Sequence, residues 1–274
     1  MSGEKKRIES CFQNLQGGGK KALITFVTAG DPDLQASELL MHKLVEAGAD
    51  ILELGVPFSD PMADGPVIQQ ASERALAHGV SLADVLTLVS RFRQQNQQTP
   101  VVLMGYLNPI EQMGYQIFAT QAASAGVDGV LTVDMPVEES AEYREILNKA
   151  GLDTVFLVAP TSGPERSQMI ADASTGFLYY VSVKGVTGGA KADFSQVEAI
   201  VDQLKGLGGP PVGVGFGIST PEDAATVASF SDAVVVGSAI IKQLESASGD
   251  AGIRAAADLV SQLRAAMDAA SGVE

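Results

Sequence analysis

One pattern constrains the fold of this chain more than any other: short apolar segments alternate with amphipathic stretches along nearly its whole length. In the amphipathic stretches hydrophobic residues recur at helical spacing, as at Leu40, Leu44 and Ala47. Eight segments rich in Val, Ile and Leu predict strands. They begin near Leu23, Ile51, Val101, Gly129, Thr154, Phe177, Val212 and Ala233. The alternation therefore predicts a series of βα units.

An internal quasi-repeat supports this interpretation. The pattern Ala-Gly-X-Asp occurs at residues 47–50, 125–128 and 150–153, each time between a helical stretch and a strand. Its glycine suits the left-handed residue that ends a helix, and its polar residue suits a tight αβ loop. Parallel apolar strands need both faces covered, which leaves a closed barrel or a doubly wound open sheet. Eight units in 274 residues favour the barrel, which typically takes roughly 250 residues.

We therefore predict an α/β fold, a single (β/α)8 TIM barrel domain over residues 1–274. An extra helix over residues 4–15 precedes strand one, a second extra helix follows strand two, and residues 252–270 form a closing helix. The connections that follow strands two and six contain additional residues, at 55–65 and 182–192. Because the loops that follow the strands build the active site of this fold, we expect the site at that end.

Composition excludes several other classes of protein. The net charge of −15, with 18 basic residues that form no stripe, argues against nucleic-acid binding. No apolar run approaches the ~20 residues needed to cross a bilayer, so no membrane span is expected. Residues 1–20 lack the apolar stretch of a signal peptide, which predicts a cytoplasmic protein. One cysteine, Cys11, and two histidines, His42 and His78, provide no cluster of metal ligands.

A carboxylate, Glu53, lies within the otherwise apolar second strand. Burial there would raise its pKa, which suits proton transfer near neutral pH. The alternative is a core carboxylate paired with lysine or arginine, since structural ion pairs occupy such positions too.

The loop after this strand, residues 57–66, carries Asp60 and Asp64 among prolines that restrict its freedom. Its side chains can therefore be held in a fixed direction. The alternative for Asp64 is that it caps the helix entered at Pro66, and taken alone this is the more common role.

Glycine-containing segments follow the last three strands, at residues 185–189, 215–219 and 237–240. Glycine allows backbone N–H groups to approach a ligand, and a helix N-terminus favours an anion. Each segment alone is also compatible with a turn that binds nothing. Because barrels of this type commonly hold phosphate after strands seven and eight, we predict a phosphate site.

Side chains near the strand carboxyl ends predict an apolar pocket beside that phosphate. Any one of them is more often barrel packing than a ligand contact. Together they suit a ligand with one flat apolar end and one anionic end. They are Phe26, Tyr106, Leu131, Tyr179 and Phe216.

The segments that contain these residues resemble the tryptophan synthase alpha-subunit family, in family order from Phe26 to Ile240. The block from Glu53 to Pro66 is long and specific. The matching segments are residues 26–32, 52–61, 63–66, 134–140, 185–188, 215–219 and 237–240.

The resemblance implies retro-aldol cleavage of indole-3-glycerol phosphate to indole and glyceraldehyde 3-phosphate. It assigns Glu53 as the acid/base, which protonates C3 of the indole ring and accepts the proton of the glycerol hydroxyl. It assigns Asp64 to the indole N–H, where a carboxylate stabilises the indolenine-like intermediate. Such a division needs one group that exchanges a proton near neutral pH and another that stays ionised.

The resemblance also implies the remaining contacts. The apolar residues given above contact the indole, and Thr187 meets Asp64 when the loop after strand six closes. Pro57 and Asp60 face a β subunit, expected in an α2β2 tetramer, which receives the indole through a tunnel. Pyridoxal phosphate belongs to that β subunit, and no cofactor is expected here. The phosphate contacts are Gly188, Gly217, Gly237 and Ser238.

Two other functions compete with this one. Lys184 is a candidate Schiff-base nucleophile of an aldolase, which needs a lowered pKa, but its glycine and threonine neighbours favour a solvated loop. Val183 and Lys184 depart from many bacterial relatives, so the resemblance assigns them no catalytic role. The second competitor is a non-catalytic barrel that binds phosphate and activates another protein. The presence of both Glu53 and Asp64 argues against it.

Overall fold

The computed structural model describes residues 6–181, 194–215, 217–247 and 249–272. All eight predicted strands are present, and they close into a parallel barrel in chain order, with β1 paired to β8. The prediction of a (β/α)8 barrel over an open sheet is confirmed. The strands are β1 Ala22–Thr28, β2 Ile51–Gly55, β3 Val101–Gly105, β4 Gly129–Thr132, β5 Asp153–Val158, β6 Leu178–Val181, β7 Val212–Gly215 and β8 Ala233–Val236.

Helices surround this barrel, and two of them, α3 and α4, lie between β2 and β3 as predicted. Two also lie between β3 and β4, because Gly114 at φ 86° interrupts the helical stretch there. A 3-10 helix, Val137–Glu139, follows β4. The α-helices are α1 Arg7–Gly17, α2 Leu34–Glu46, α3 Pro66–Ala77, α4 Leu82–Arg93, α5 Leu107–Met113, α6 Tyr115–Ala125, α7 Ala141–Lys149, α8 Pro164–Ala173, α9 Ser195–Gly206, α10 Pro221–Phe230, α11 Ser238–Ser246 and α12 Asp250–Ala270.

The glycine and the aspartate of the quasi-repeat each have a structural role. Its glycines, Gly48, Gly126 and Gly151, all have positive φ, as the helix-ending role requires. The aspartates of the first two copies also join neighbouring strands: Asp50 accepts a hydrogen bond from Leu23 N and Asp128 from Val101 N, both at 2.8 Å. The repeat therefore ends a helix and anchors a strand at the amino end of the barrel.

The helix α1 covers the amino end of the barrel. Its Ile8 and Phe12 are buried in the cluster of inward-facing strand residues. Just before and at its start, Lys6 Nζ lies 2.8 Å from Asp153 Oδ1 and Arg7 Nη1 lies 2.8 Å from Asp128 Oδ1. The interior of the barrel is thus filled at its amino end, and charged side chains there are paired.

Strand periodicity decides which side chains enter the barrel. In β1 and β2, Ile24 and Ile51 face inward, whereas Leu23 and Leu52 pack against the helices. Two residues after Ile24 and Ile51 come Phe26 and Glu53, which are paired across the two strands. Because side chains alternate along a strand, both face the inside near the carboxyl end.

Within the described ranges, no single helix is long and apolar enough to cross a membrane. The helices α3 and α4 meet the criteria of length and composition only as a pair, and they are bent by 94° relative to each other.

Candidate active site

A cavity of about 610 Å³ opens at the carboxyl ends of the strands. Inward-facing residues of the barrel form its floor, and the loop after β2 and the helix α11 form part of its walls. Its described charged residues are two carboxylates, Glu53 and Asp64, and one cation, Lys242. The lining also includes Phe26, Ala63, Gly65, Ile68, Met104, Val133, Leu157, Tyr179, Val181, Gly217, Ile218, Ser219, Val235, Gly237, Ser238, Ala239, Gln243 and Leu259.

Glu53 is completely buried, and among the described residues neither of its carboxylate oxygens has a hydrogen-bond partner. Burial, followed by the negative charge of Asp64, raises its pKa to about 8. The alternative of a core ion pair with lysine or arginine is therefore wrong for the described part of the chain. A carboxyl group with this pKa exchanges its proton near neutral pH.

Asp64 lies in a different environment, half-buried in the loop after β2. Burial raises its pKa above the usual 3.8, whereas a hydrogen bond from Tyr106 lowers it. The Tyr106 hydroxyl donates to Asp64 Oδ2 at 3.1 Å and accepts from Ala63 N at 3.0 Å. Asp64 thus has a donor that favours its ionised form, whereas Glu53 has none in the described residues.

The helix-capping role for Asp64 is wrong. The N-cap of α3 is Gly65, with no side-chain hydrogen bond to the helix end, and Pro66 occupies the first turn. The backbone carbonyl of Asp64 accepts from Gln69 Nε2 at 2.8 Å, which fixes the main chain and leaves the carboxylate directed to Tyr106.

The apolar part of the cavity depends on two aromatic side chains, Phe26 and Tyr179. Both fit because glycines stand beside them. A Cβ atom at Gly55 would lie 2.6 Å from Phe26 Cζ, and one at Gly215 would overlap the hydroxyl and ring of Tyr179. The sequence thus places the smallest residue beside each ring, and the cavity keeps room for a flat apolar group.

The other end of the cavity suits an anion. Gly237 and Ser238, the N-cap and first residue of α11, line it together with Gly217, which follows β7. A helix N-terminus combines backbone N–H donors with a favourable dipole. The cavity therefore has a proton-exchanging carboxyl, a second carboxylate, an apolar wall and an anion-binding end.

Comparison with known proteins agrees with this chemistry. The family model described as tryptophan synthase alpha chain matches residues 12–271. A tryptophan synthase alpha chain from Methylococcus capsulatus is 52% identical over 265 residues, which cover 96% of this chain and 99% of the relative. One from Nitrosococcus oceani is 57% identical over 239 residues, with 87% and 88% covered. The chain belongs to the tryptophan synthase alpha chain family.

Solved structures of the tryptophan synthase alpha chain family share the fold throughout. The crystal structure of tryptophan synthase subunit alpha from Legionella pneumophila str. Paris is 45% identical and superposes with a TM-score of 0.90. The superposition covers 97% of this chain and 100% of that chain. The resemblance found in the sequence is confirmed over nearly the whole length.

The structure brings together most of the site residues that the sequence suggested. Seven of them line the cavity: Glu53, Asp64, Phe26, Tyr179, Gly217, Gly237 and Ser238. Tyr106 and Leu131 are absent from the lining. Tyr106 instead holds Asp64, and Leu131 lies deeper in the barrel because Val133, two residues further on, takes the place at the cavity. Thr187, Gly188 and Phe216 lie outside the described residues, as do Val183 and Lys184.

The lining residues that were missed include four for which the sequence contains a signal. Met104, Val133, Leu157 and Val181 each follow an inward-facing strand residue by two positions. Period-two counting from Val102, Leu131, Val155 and Tyr179 finds them once the inward face of each strand is known. Lys242, which was also missed, lies one helical turn after Ser238.

The loop after β2 places its two aspartates differently. Asp60 is exposed and accepts a hydrogen bond from Ser59 Oγ at 2.5 Å, whereas Asp64 faces the cavity. Pro57 is buried, and the side chain of Met62 is 79% exposed. Within the described part of the chain, no group of three or more potential metal ligands is present.

Proposed function

We propose that Glu53 and Asp64 are the carboxylates with which this chain cleaves indole-3-glycerol phosphate to indole and glyceraldehyde 3-phosphate, the lyase step of its family in tryptophan biosynthesis. The observation that carries the proposal is Glu53 itself: a fully buried carboxyl with a pKa of about 8 and no hydrogen-bond partner among the described residues. It shares one cavity with Asp64 and with an anion-binding helix end.

The reaction requires two proton transfers by the same group. Protonated Glu53 gives its proton to C3 of the indole ring, which places positive charge on the ring nitrogen. Ionised Glu53 then takes the proton of the glycerol hydroxyl next to C3, the carbonyl of the aldehyde forms, and the bond from that carbon to C3 breaks. Its electron pair returns to the ring and neutralises the nitrogen. Glu53 ends protonated, as it began, and a pKa near the working pH favours both transfers.

Asp64 acts on the charge that develops between these transfers. Its carboxylate accepts a hydrogen bond from the indole N–H and stabilises the positive ring nitrogen. The hydrogen bond from Tyr106 holds Oδ2 of Asp64 in place, so this carboxylate is oriented before the substrate binds. We assign Tyr106 this positioning role.

The substrate lies with its phosphate at Gly217, Gly237 and Ser238 and with its indole ring against Phe26 and Tyr179, which matches the anionic and apolar ends of the cavity. Leu131 belongs to the same buried cluster as Tyr179, so it supports the indole ring indirectly from within the barrel. The family resemblance adds further contacts from the segments outside the described residues. These are Thr187, Gly188 and Phe216.

A β subunit is the partner that the family implies, and we assign to it the exposed part of the loop around Asp60; Pro57 of the same loop is buried. The exposed Asp60 and Met62 support this assignment. Phe58 of the same loop stacks on Tyr106 at a ring distance of 5.3 Å, so a partner that moves the loop also acts on the group that holds Asp64. We propose an α2β2 assembly in the cytoplasm, with pyridoxal phosphate bound only by the β subunit.

Two carboxylates of one loop provide the experiment. In the isolated chain, Asp64→Asn should abolish most indole release from indole-3-glycerol phosphate, because a neutral amide does not stabilise a positive ring nitrogen. Asp60→Asn is the matched control, with the same chemical change four residues away. It should keep the basal rate and lose activation by an added β subunit. Equal loss of basal activity in both variants would contradict the proposal that Asp64 acts in catalysis and Asp60 in contact with the β subunit.

A further inference from the structure

Lys242 has no role in the reaction described above, yet it is the one cation among the described residues that line the cavity. The other charged lining residues of the described chain are the two carboxylates. A phosphate monoester adds about −1.5 to −2 charges to this cavity near neutral pH. The bound substrate therefore needs a compensating positive charge.

The position of Lys242 on α11 matches that need. Lys242 follows Ser238 by four residues, so both side chains lie on the same face of the helix, and both line the cavity. Ser238 is the first residue of α11, where the helix dipole attracts an anion. A lysine ammonium is a compact charge on a flexible stem, which can reach back over one helical turn.

The ammonium group of Lys242 is also available. Within the described ranges Lys242 has neither an ion pair nor a side-chain hydrogen bond, whereas Lys43 and Lys149 are paired with glutamates on their own helices. It is also exposed to solvent, so the group is accessible to an anion that enters the cavity.

The net charge of the whole chain also opposes the approach of an anionic substrate. A protein with a net charge of −15 repels a dianionic substrate at long range. A cation at the phosphate end of the cavity offsets that repulsion where the substrate enters. Because this cation is exposed, its effect should weaken as the salt concentration rises.

We propose that Lys242 binds the phosphate group of the substrate together with the N-terminus of α11, and that it acts in substrate binding and not in bond cleavage. The inference rests on the proposed function, since it concerns the same substrate.

The test compares Lys242→Gln with Lys149→Gln, which removes the same charge from the surface helix α7. For Lys242→Gln, we expect the KM for indole-3-glycerol phosphate and the inhibition constant of glycerol 3-phosphate to rise about three- to tenfold, with kcat changed less than about twofold. The increase should shrink toward onefold as the ionic strength is raised. Binding of indole, which has no phosphate, should stay unchanged.

Lys242→Arg should restore most of the affinity, because the charge is retained. The proposal is overturned if Lys242→Gln leaves both constants unchanged, if Lys149→Gln raises them equally, or if the loss persists at high salt. Failure of the proposed function has a different signature: the unmodified chain, with or without a β subunit, would then release no indole. Thermal unfolding of each variant checks that the fold is retained.

Discussion

Replacement of Glu53 by glutamine should make the protein more stable and at the same time nearly inactive. Glu53→Gln keeps the shape of the side chain but removes the exchangeable proton and the charge. Turnover should fall by ~10²-fold to 10⁴-fold, the usual contribution of general acid–base catalysis, and substrate binding should be largely retained.

The gain in stability follows from the pKa of Glu53, which folding raises from 4.5 to about 8. Between these values the native state holds a proton that the unfolded chain has released, so the free energy of unfolding falls as the pH rises. At about 1.4 kcal/mol per pH unit, the full cost of ionising the buried group above pH 8 is on the order of 5 kcal/mol. Glutamine does not ionise, and its variant avoids this cost.

The pH dependence of the effect distinguishes it from that of an ordinary core substitution. A buried amide without partners costs ~1–3 kcal/mol, but this cost does not vary with pH. The difference in unfolding free energy, Glu53→Gln minus the unmodified chain, should therefore rise by on the order of 3 kcal/mol between about pH 5.5 and pH 9.

Denaturant unfolding at a series of pH values measures this difference, and indole release under the same conditions measures the lost activity. Glu198→Gln is the control, because it makes the same chemical change at an exposed position on α9. A difference between Glu53→Gln and the unmodified chain that is independent of pH would refute the raised pKa. Retained turnover would refute the acid–base role.

Two further variants test the supports of the site. Tyr106→Phe removes the hydrogen bond to Asp64 Oδ2, so the pKa of Asp64 should rise, which a pH profile of kcat will show. Because a hydrogen bond to a charged group contributes ~1.5–3 kcal/mol, kcat should fall about ten- to hundredfold. Gly215→Ala places a methyl group on the hydroxyl and ring of Tyr179 and should cost ~1–3 kcal/mol of stability and raise KM. Adding Tyr179→Phe should recover part of both losses, and no recovery would show that the strain lies elsewhere.

The architecture was predictable because it rests on local patterns. Strand starts such as Ile51 and Val212 were placed correctly from short apolar runs, and the eightfold βα alternation left few topologies. What the pattern did not supply was the number of helices between β3 and β4. The break at Gly114 between α5 and α6 was missed, since a single glycine is compatible with a continuous helix until its φ is known.

The site was predictable in its strand residues and less so in its loops. Glu53 was found because a charge in an apolar strand stands out, but whether it had a partner is a property of packing, which only the structure gives. For Asp64 the local rules favoured helix capping, whereas in the structure its carboxylate contacts Tyr106, 42 residues away in the chain. No periodic pattern of residues in the sequence indicates long-range contacts of this kind.

Among the described residues Glu53 has no partner, which agrees with the chemistry that we propose for it. A lysine or arginine beside this carboxyl would stabilise the charged form and lower its pKa, and the group would then be a poor acid near neutral pH. Burial without a partner keeps both protonation states close in free energy, at a cost to stability that grows as the pH rises. The opposite end of the barrel can offset that cost, because there Ile8 and Phe12 of α1 are buried, and Lys6 is paired with Asp153. In a parallel barrel catalysis and stabilisation lie at opposite ends, since the substrate-binding loops follow the strands and the stabilising contacts of α1 precede them.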